Sequence, residues 1–251
     1  MAELDRQYTS AVRGGAGARV EGIDQGLRAF MLGIYNNMAM GLALTGIVAY
    51  GAFMAAIDQT GALTPLGTAI YASPLKWVIM LAPLAFVFGL SAIVNRMQPA
   101  TARLVFLAFA AVMGLSMSSI FLVFTQQSIA QTFFITAASF GALSLWGYTT
   151  KRDISGWGSF LFMGVIGLII AMLVNIFLQS AAMQFAISAI GVLVFAGLTA
   201  YDTQRLKHTY DIVAGDQVAA GRASIIGALQ LYLDFINLFM FLLQFMGNNR
   251  S

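Results

Sequence analysis

Two acidic residues sit in stretches that are otherwise apolar. Asp202 lies in Gly197-Leu198-Thr199-Ala200-Tyr201-Asp202-Thr203-Gln204, and Asp234 in Leu231-Tyr232-Leu233-Asp234-Phe235-Ile236-Asn237-Leu238-Phe239. The rest of the 10 acidic residues fall in the polar leader or in connecting segments. A carboxylate at bilayer centre costs about 2.5–3.5 kcal/mol even on the lenient insertion scale, so such residues face a bundle interior and mark a pathway or a switch. Two facing carboxyls in a dry site do not both ionise cheaply, and they share a proton. Once ionised, Asp202 and Asp234 offer a cation two hard oxygens. Calcium takes about six to eight, so the pair with carbonyls and water makes a weak, transient calcium site and implies no resident cofactor. Arg96, at the end of an apolar run, is the cation placed to neutralise one of the two. Blander readings stand beside these. Asp202 snorkels outward beside Arg205, Asp234 is satisfied by Asn237 or a neighbouring Tyr, and Arg96 is an orientation anchor. His208, the single histidine, lies in a polar segment.

The chain that must position these residues has 251 amino acids, of which 59% are apolar and only 9% charged. Its mean hydropathy is +0.82. Soluble domains carry about 25% charged residues, so the bilayer is much of this protein's solvent. The same arithmetic excludes a disordered chain, a coiled coil and a nucleic-acid-binding domain, since the net charge is only +3. The absence of cysteine excludes disulfides and thiolate chemistry. Residues 1–28 balance Glu3, Asp5, Glu21 and Asp24 against Arg6, Arg13, Arg19 and Arg28 and contain Gly14-Gly15-Ala16-Gly17. They read as a flexible cytosolic tail, and not as a cleaved signal peptide.

A spanning helix needs about 20 mostly apolar residues. Seven segments meet that need, at roughly 29–57, 76–95, 102–124, 131–149, 158–179, 183–205 and 225–246. The longest connection, roughly 206–224, joins the last two. With no strand signal, the expected fold is an all-α membrane protein: a leader of residues 1–28 and a seven-helix transmembrane domain over 29–247. All but two of the 13 Lys and Arg fall on the side of the N-terminus; the exceptions are Lys76 and Arg250. That asymmetry predicts a cytosolic N-terminus and an external C-terminus.

Three stretches carry a resemblance. Gly147-Tyr148-Thr149-Thr150-Lys151-Arg152-Asp153-Ile154-Ser155, Tyr201-Asp202 and Leu231 to Phe239 resemble the signatures of the transmembrane Bax inhibitor motif family, or Bax inhibitor-1 family, in its bacterial inner-membrane branch. The resemblance covers about residues 28–247. It implies a seven-helix bundle with the last helix central. It also implies a pH-sensitive calcium leak with Asp202 and Asp234 as the sensor and Arg96 as the arginine that pairs with one of them when the path is open. The sequence departs from the family in having Ser118-Ser119 where a Pro is common, and Arg250 alone in place of a basic C-terminal tail.

Two functions follow from the resemblance. In the first, the chain is a proton-gated cation leak, with bilayer lipid and cations as its partners. In the second, it is a non-transporting regulator that binds and restrains a membrane-bound ATP-dependent protease through the leader. A third reading, an intramembrane aspartyl protease of presenilin type, fits Tyr201-Asp202 followed by an Asp on the next span. It fails on the missing Gly-x-Gly-Asp form before Asp234 and on the absence of any Pro after Pro99, so no enzymatic activity is expected.

Overall fold

The computed structural model describes residues 2–93 and 96–248, and side chains from Gln25 onward apart from those of residues 90–92. Described residues are almost wholly helical. Helix α1 runs over Ala2–Ala56 and α2 over Leu75–Ile93. Helix α3 covers Pro99–Met117 and resumes as Ile120–Val123 after a break. Helix α4 spans Gln126–Thr149, α5 Trp157–Leu178, α6 Ala181–Val213 and α7 Gln217–Met246. A short helical segment, Pro65–Ala72, precedes α2 and meets it at a bend of 63°. Six helices are individually long and apolar enough to cross a bilayer, and the bent segment with α2, counted as one span, brings the number to seven. The protein is therefore a multi-pass helical membrane protein.

The segment read as a tail is continuous with the first span in α1, whose membrane-length part begins at Gln25. No Pro precedes Pro65, and each Gly costs a helix only about 1 kcal/mol. Side chains before Gln25 lie outside the described residues. The break in α3 falls at Ser118-Ser119. There the Ser118 Oγ donates to the Leu115 carbonyl at 2.7 Å, and the Tyr71 hydroxyl donates to Ser118 at 2.9 Å.

The expected connection of residues 206–224 is corrected. Helix α6 continues to Val213 and α7 already starts at Gln217, which leaves Ala214–Asp216 as the turn. Lys207, His208 and Asp211 end the apolar pattern but are tolerated in a helix, so hydropathy stops before the helix does. Asp216 caps α7, accepting from the amides of Val218 at 2.8 Å and Ala219 at 3.0 Å. At 1.5 Å per residue α6 is about 50 Å long and α7 about 45 Å. Both exceed the roughly 30 Å hydrocarbon core, so their polar joined ends project from it.

Helix α7 sits at the centre, packed on α1, α3, α4 and α6. Of its most apolar stretch 67% is buried, against 11% for α5. Its aromatic side chains make the core. Tyr232 meets Phe106 and Phe109 of α3 edge-on, and Phe235 meets Phe133 and Phe140 of α4. Glycine lets the backbones approach: a Cβ on Gly147 would collide with the Ala200 carbonyl, and one on Gly114 with that of Thr45.

Candidate functional site

Asp202 of α6 and Asp234 of α7 come together. Their carboxyl groups face each other closely enough to interact. A bond between two carboxyls requires one of them to carry a proton, because an ionised carboxylate only accepts. Asp234 is buried at 5% exposure, and its Oδ2 has no hydrogen-bond partner among the described residues. Asp202 is half-buried. The extension of α6 beyond Arg205 is what allows this: Asp202 is eleven residues, about 17 Å, from the end of its helix and not at a frayed terminus.

The blander assignments for Asp234 do not describe this structure. Asn237 turns its amide to the Leu233 carbonyl at 2.8 Å. The Tyr232 hydroxyl, fully buried, hydrogen-bonds Thr45 of α1 at 2.7 Å, and Thr45 in turn donates to the Ala110 carbonyl of α3 at 2.9 Å. Arg205 follows Asp202 by less than one turn of α6, and its charge acts on that carboxyl.

Arg96 lies elsewhere. It is exposed in the turn between α2 and α3, and no ion pair joins it to either carboxyl among the described residues. That turn rests on the foot of α7, where a Cβ on Gly221 would touch the Pro99 ring. Asp234 is thirteen residues, about 20 Å, further along α7. Arg103, the other basic residue there, donates to the Met40 sulfur at 3.1 Å. His208 is exposed.

The stretch Gly147 to Ser155 turns out to be a clamp on α6 beside Asp202. Gly147 abuts Ala200. The Lys207 ammonium donates to the Tyr148 carbonyl at 2.8 Å. Gln204 is buried and serves both directions, donating to the Arg152 carbonyl at 2.8 Å and accepting from the Ile154 amide at 2.9 Å. Asp153 closes the turn by accepting from the Ser155 amide at 2.9 Å. That bond holds its carboxyl below the usual carboxylate range. A second network flanks α6 on the α1 side. The hydroxyls of Tyr35 and Ser144 are 2.6 Å apart, those of Ser144 and Thr203 2.9 Å, and Thr203 donates to the Thr199 carbonyl at 2.7 Å. Sequence reasoning passed over Thr45, Ser144, Thr203 and Gln204. Each is a small or neutral polar residue whose partner lies on another helix or, for Gln204, in the turn after α4, and nothing in its own segment reports that partner.

The model of the family described as "Inhibitor of apoptosis-promoting Bax1" matches residues 27–251. This chain belongs to that family. Relatives in the Bax inhibitor family align over nearly the whole chain. A Caulobacter vibrioides protein is 47% identical over 230 residues, covering 91% of this chain and 92% of its own. The inner membrane protein YbhL of Escherichia coli is 46% identical over 230 residues, with 90% of this chain and 94% of its own covered. A Rickettsia prowazekii protein is 45% identical over 228 residues, with coverage of 91% and 93%. The family match begins at Leu27, close to the start of the first membrane-length stretch at Gln25. Leader residues 1–26 thus fall outside the Bax inhibitor match.

Proposed function

We propose that this Bax inhibitor family member is a proton-gated cation leak of the bacterial inner membrane, with the Asp202–Asp234 pair as its gate and calcium as a permeant ion. The observation that carries the reading is the pairing of the Asp202 carboxyl of α6 with the buried Asp234 carboxyl of the central helix α7. With one shared proton, the pair ties the two helices together and the path is closed. Loss of that proton leaves two like charges in contact in a poorly solvated place, and their repulsion parts α6 from α7. The unpartnered Oδ2 of Asp234 and the Asp202 carboxylate are then oxygen ligands for a passing cation. Two carboxylates fall short of the about six to eight oxygens that hold calcium firmly, which suits passage over storage. The inner-membrane location draws on the name of YbhL. A cytosolic N-terminus is part of this reading, supported by the basic residues Arg28, Lys151, Arg152 and Lys207.

Two cations contend for the open-state role that the resemblance gives Arg96. Arg205 is within a turn of Asp202, whereas Arg96 lies in the turn whose Pro99 meets Gly221, thirteen residues before Asp234 on α7. Whichever of them holds the ionised pair, its replacement by Ala moves the flux transition to higher pH, and replacement of the other leaves the profile unchanged.

The test is calcium and potassium flux into proteoliposomes across pH. Flux rises from acid to neutral pH in the wild type. Asp202→Asn and Asp234→Asn each flatten that dependence, and the double variant adds little because the two act as one unit. Independent, additive effects of the two substitutions would sink the shared-proton gate.

A further inference from the structure

A cleft of about 530 Å³ opens between α1 and α4. Its walls are apolar, from Met31, Leu32 and Leu42 on one side to Ala137 and Leu145 on the other, over a floor of Phe140 and Phe235. Leu32 is 51% exposed and Leu145 63% exposed at its rim, and both belong to membrane-length helices. The cleft therefore opens sideways toward lipid, not along the bundle axis. Its polar members Tyr35 and Ser144 are satisfied by each other and by Thr203. Along that stretch the paired hydroxyls of Tyr35 and Ser144 offer water little to bind. Hydrocarbon is the solvent at the cleft's mouth.

One end is different. Arg28 lines the cleft there beside Tyr148. Lys207 sits 5.4 Å over the Tyr148 ring and is fixed by its bond to the Tyr148 carbonyl. The charged side chain on the cleft wall is thus a cation, with a second cation behind the same tyrosine and no acidic residue in the lining among the described residues. From Arg28 to Leu42 the cleft follows α1 for fourteen residues, about 21 Å. That is the depth of one leaflet's hydrocarbon, half of about 30 Å, plus its headgroup margin.

We infer that the α1–α4 cleft is a binding site for one anionic phospholipid, drawn from the leaflet at the basic end of the bundle. An acyl chain lies along Leu32, Leu42 and Ala137, and the phosphate is held by Arg28 with Lys207 adding to the field. Apolar contact supplies the chain's place and the two cations select its charge. This reading stands apart from the proton gate, because its readout is lipid retention and not flux.

The test is native mass spectrometry of the full chain released from detergent and titrated with palmitoyl-oleoyl phosphatidylglycerol or phosphatidylcholine. One phosphatidylglycerol is retained in preference to phosphatidylcholine. The preference is about fivefold per basic residue engaged, from about 1 kcal/mol each near a membrane surface. Arg28→Gln reduces the preference without lowering the number of lipids bound. Gly141 lines the cleft with nothing within 4 Å of an added Cβ, so Gly141→Leu obstructs it midway and lowers retention of both lipids. Gly167 on α5 is equally uncrowded, and Gly167→Leu is the control that retains the site. Circular dichroism confirms that each variant is folded, and Arg28→Gln decides the matter if Gly141→Leu is not. Equal retention of the two lipids by the wild type overturns the inference, as does an unaltered lipid count in a folded Gly141→Leu. So does full competition by a second copy of the chain, seen as dimers that exclude lipid.

Discussion

Helices α5 and α7 are both membrane-length and exchange the roles that hydropathy suggests. The most apolar stretch of α5 has mean hydropathy 2.7 and is 11% buried, while that of α7 has 1.8 and is 67% buried. In water the more apolar helix goes inside. Here lipid is as apolar as leucine, so α5 gains nothing by hiding Phe177, which is 86% exposed. Burial is instead decided by groups that lipid cannot satisfy. Helix α7 carries Asp234, and its Tyr232 hydroxyl needs Thr45 of α1. A helix with polar obligations is surrounded, and one without them is left at the edge.

The largest expected contrast is between two phenylalanines. Phe235 is 3% exposed against the rings of Phe133 and Phe140. Phe235→Ala opens a cavity and costs about 3–5 kcal/mol. Phe177→Ala on α5 is nearly silent. Unfolding in mixed micelles measures both, and comparable losses would break the contrast between centre and edge.

Glycines give the next test. Gly147→Leu drives a side chain into the Ala200 backbone, which has no flexible end to yield, and overpacking of this kind costs about 1–3 kcal/mol. Gly167→Leu on α5 meets open space and leaves the melting temperature unchanged. Equal tolerance at the two positions would mean that α4 and α6 are not in backbone contact.

Smaller still is Tyr232→Phe. It removes one buried hydroxyl, but Thr45 keeps its bond to the Ala110 carbonyl. The loss is about 0.6–1 kcal/mol, the range of membrane and soluble hydrogen bonds. Thr45→Val in the Tyr232→Phe background then adds less than it does alone, and thermal unfolding of the four proteins measures that coupling.

The least costly change is at the foot of α7. The Ala219 amide, then that of Val218, hold the Asp216 carboxyl below the usual carboxylate range. A group with its folded value depressed contributes stability above its unfolded value of about 4 and loses it as pH falls through the folded one. Asp216→Ala therefore removes a small increment at neutral pH and none at strongly acid pH, whereas Asp216→Asn keeps the cap without the pH dependence. Thermal melts of the three proteins across that acid range check the sign.

Much of this was legible in the chain. Runs of apolar residues near 20 long gave the spans, because the bilayer's thickness fixes a length. Asp202 and Asp234 announced themselves, because a carboxylate in hydrocarbon needs a reason. Local signals fail at Val213 and Gln217, where polar residues mimic the end of a helix. Helices end where backbone bonds lack partners or where a cap such as Asp216 intervenes, not where hydropathy falls. They were equally silent about Gln204, Thr203 and Ser144, whose partners are 50 residues or more distant.

The sequence by itself determined the solvent, the spans and the two acidic residues, all of which follow from composition within short windows. Only the tertiary structure decided which residues meet. It brought Asp234 against Asp202, left Arg96 in an exposed turn, and set Arg205 less than one turn from Asp202 on α6. The physical reason is that lipid exerts no preference among apolar helix faces. Register and neighbours are set by close approach at glycines such as Gly147 and by hydroxyl and amide pairs between helices. Those are pairwise facts, and a single chain position does not encode them.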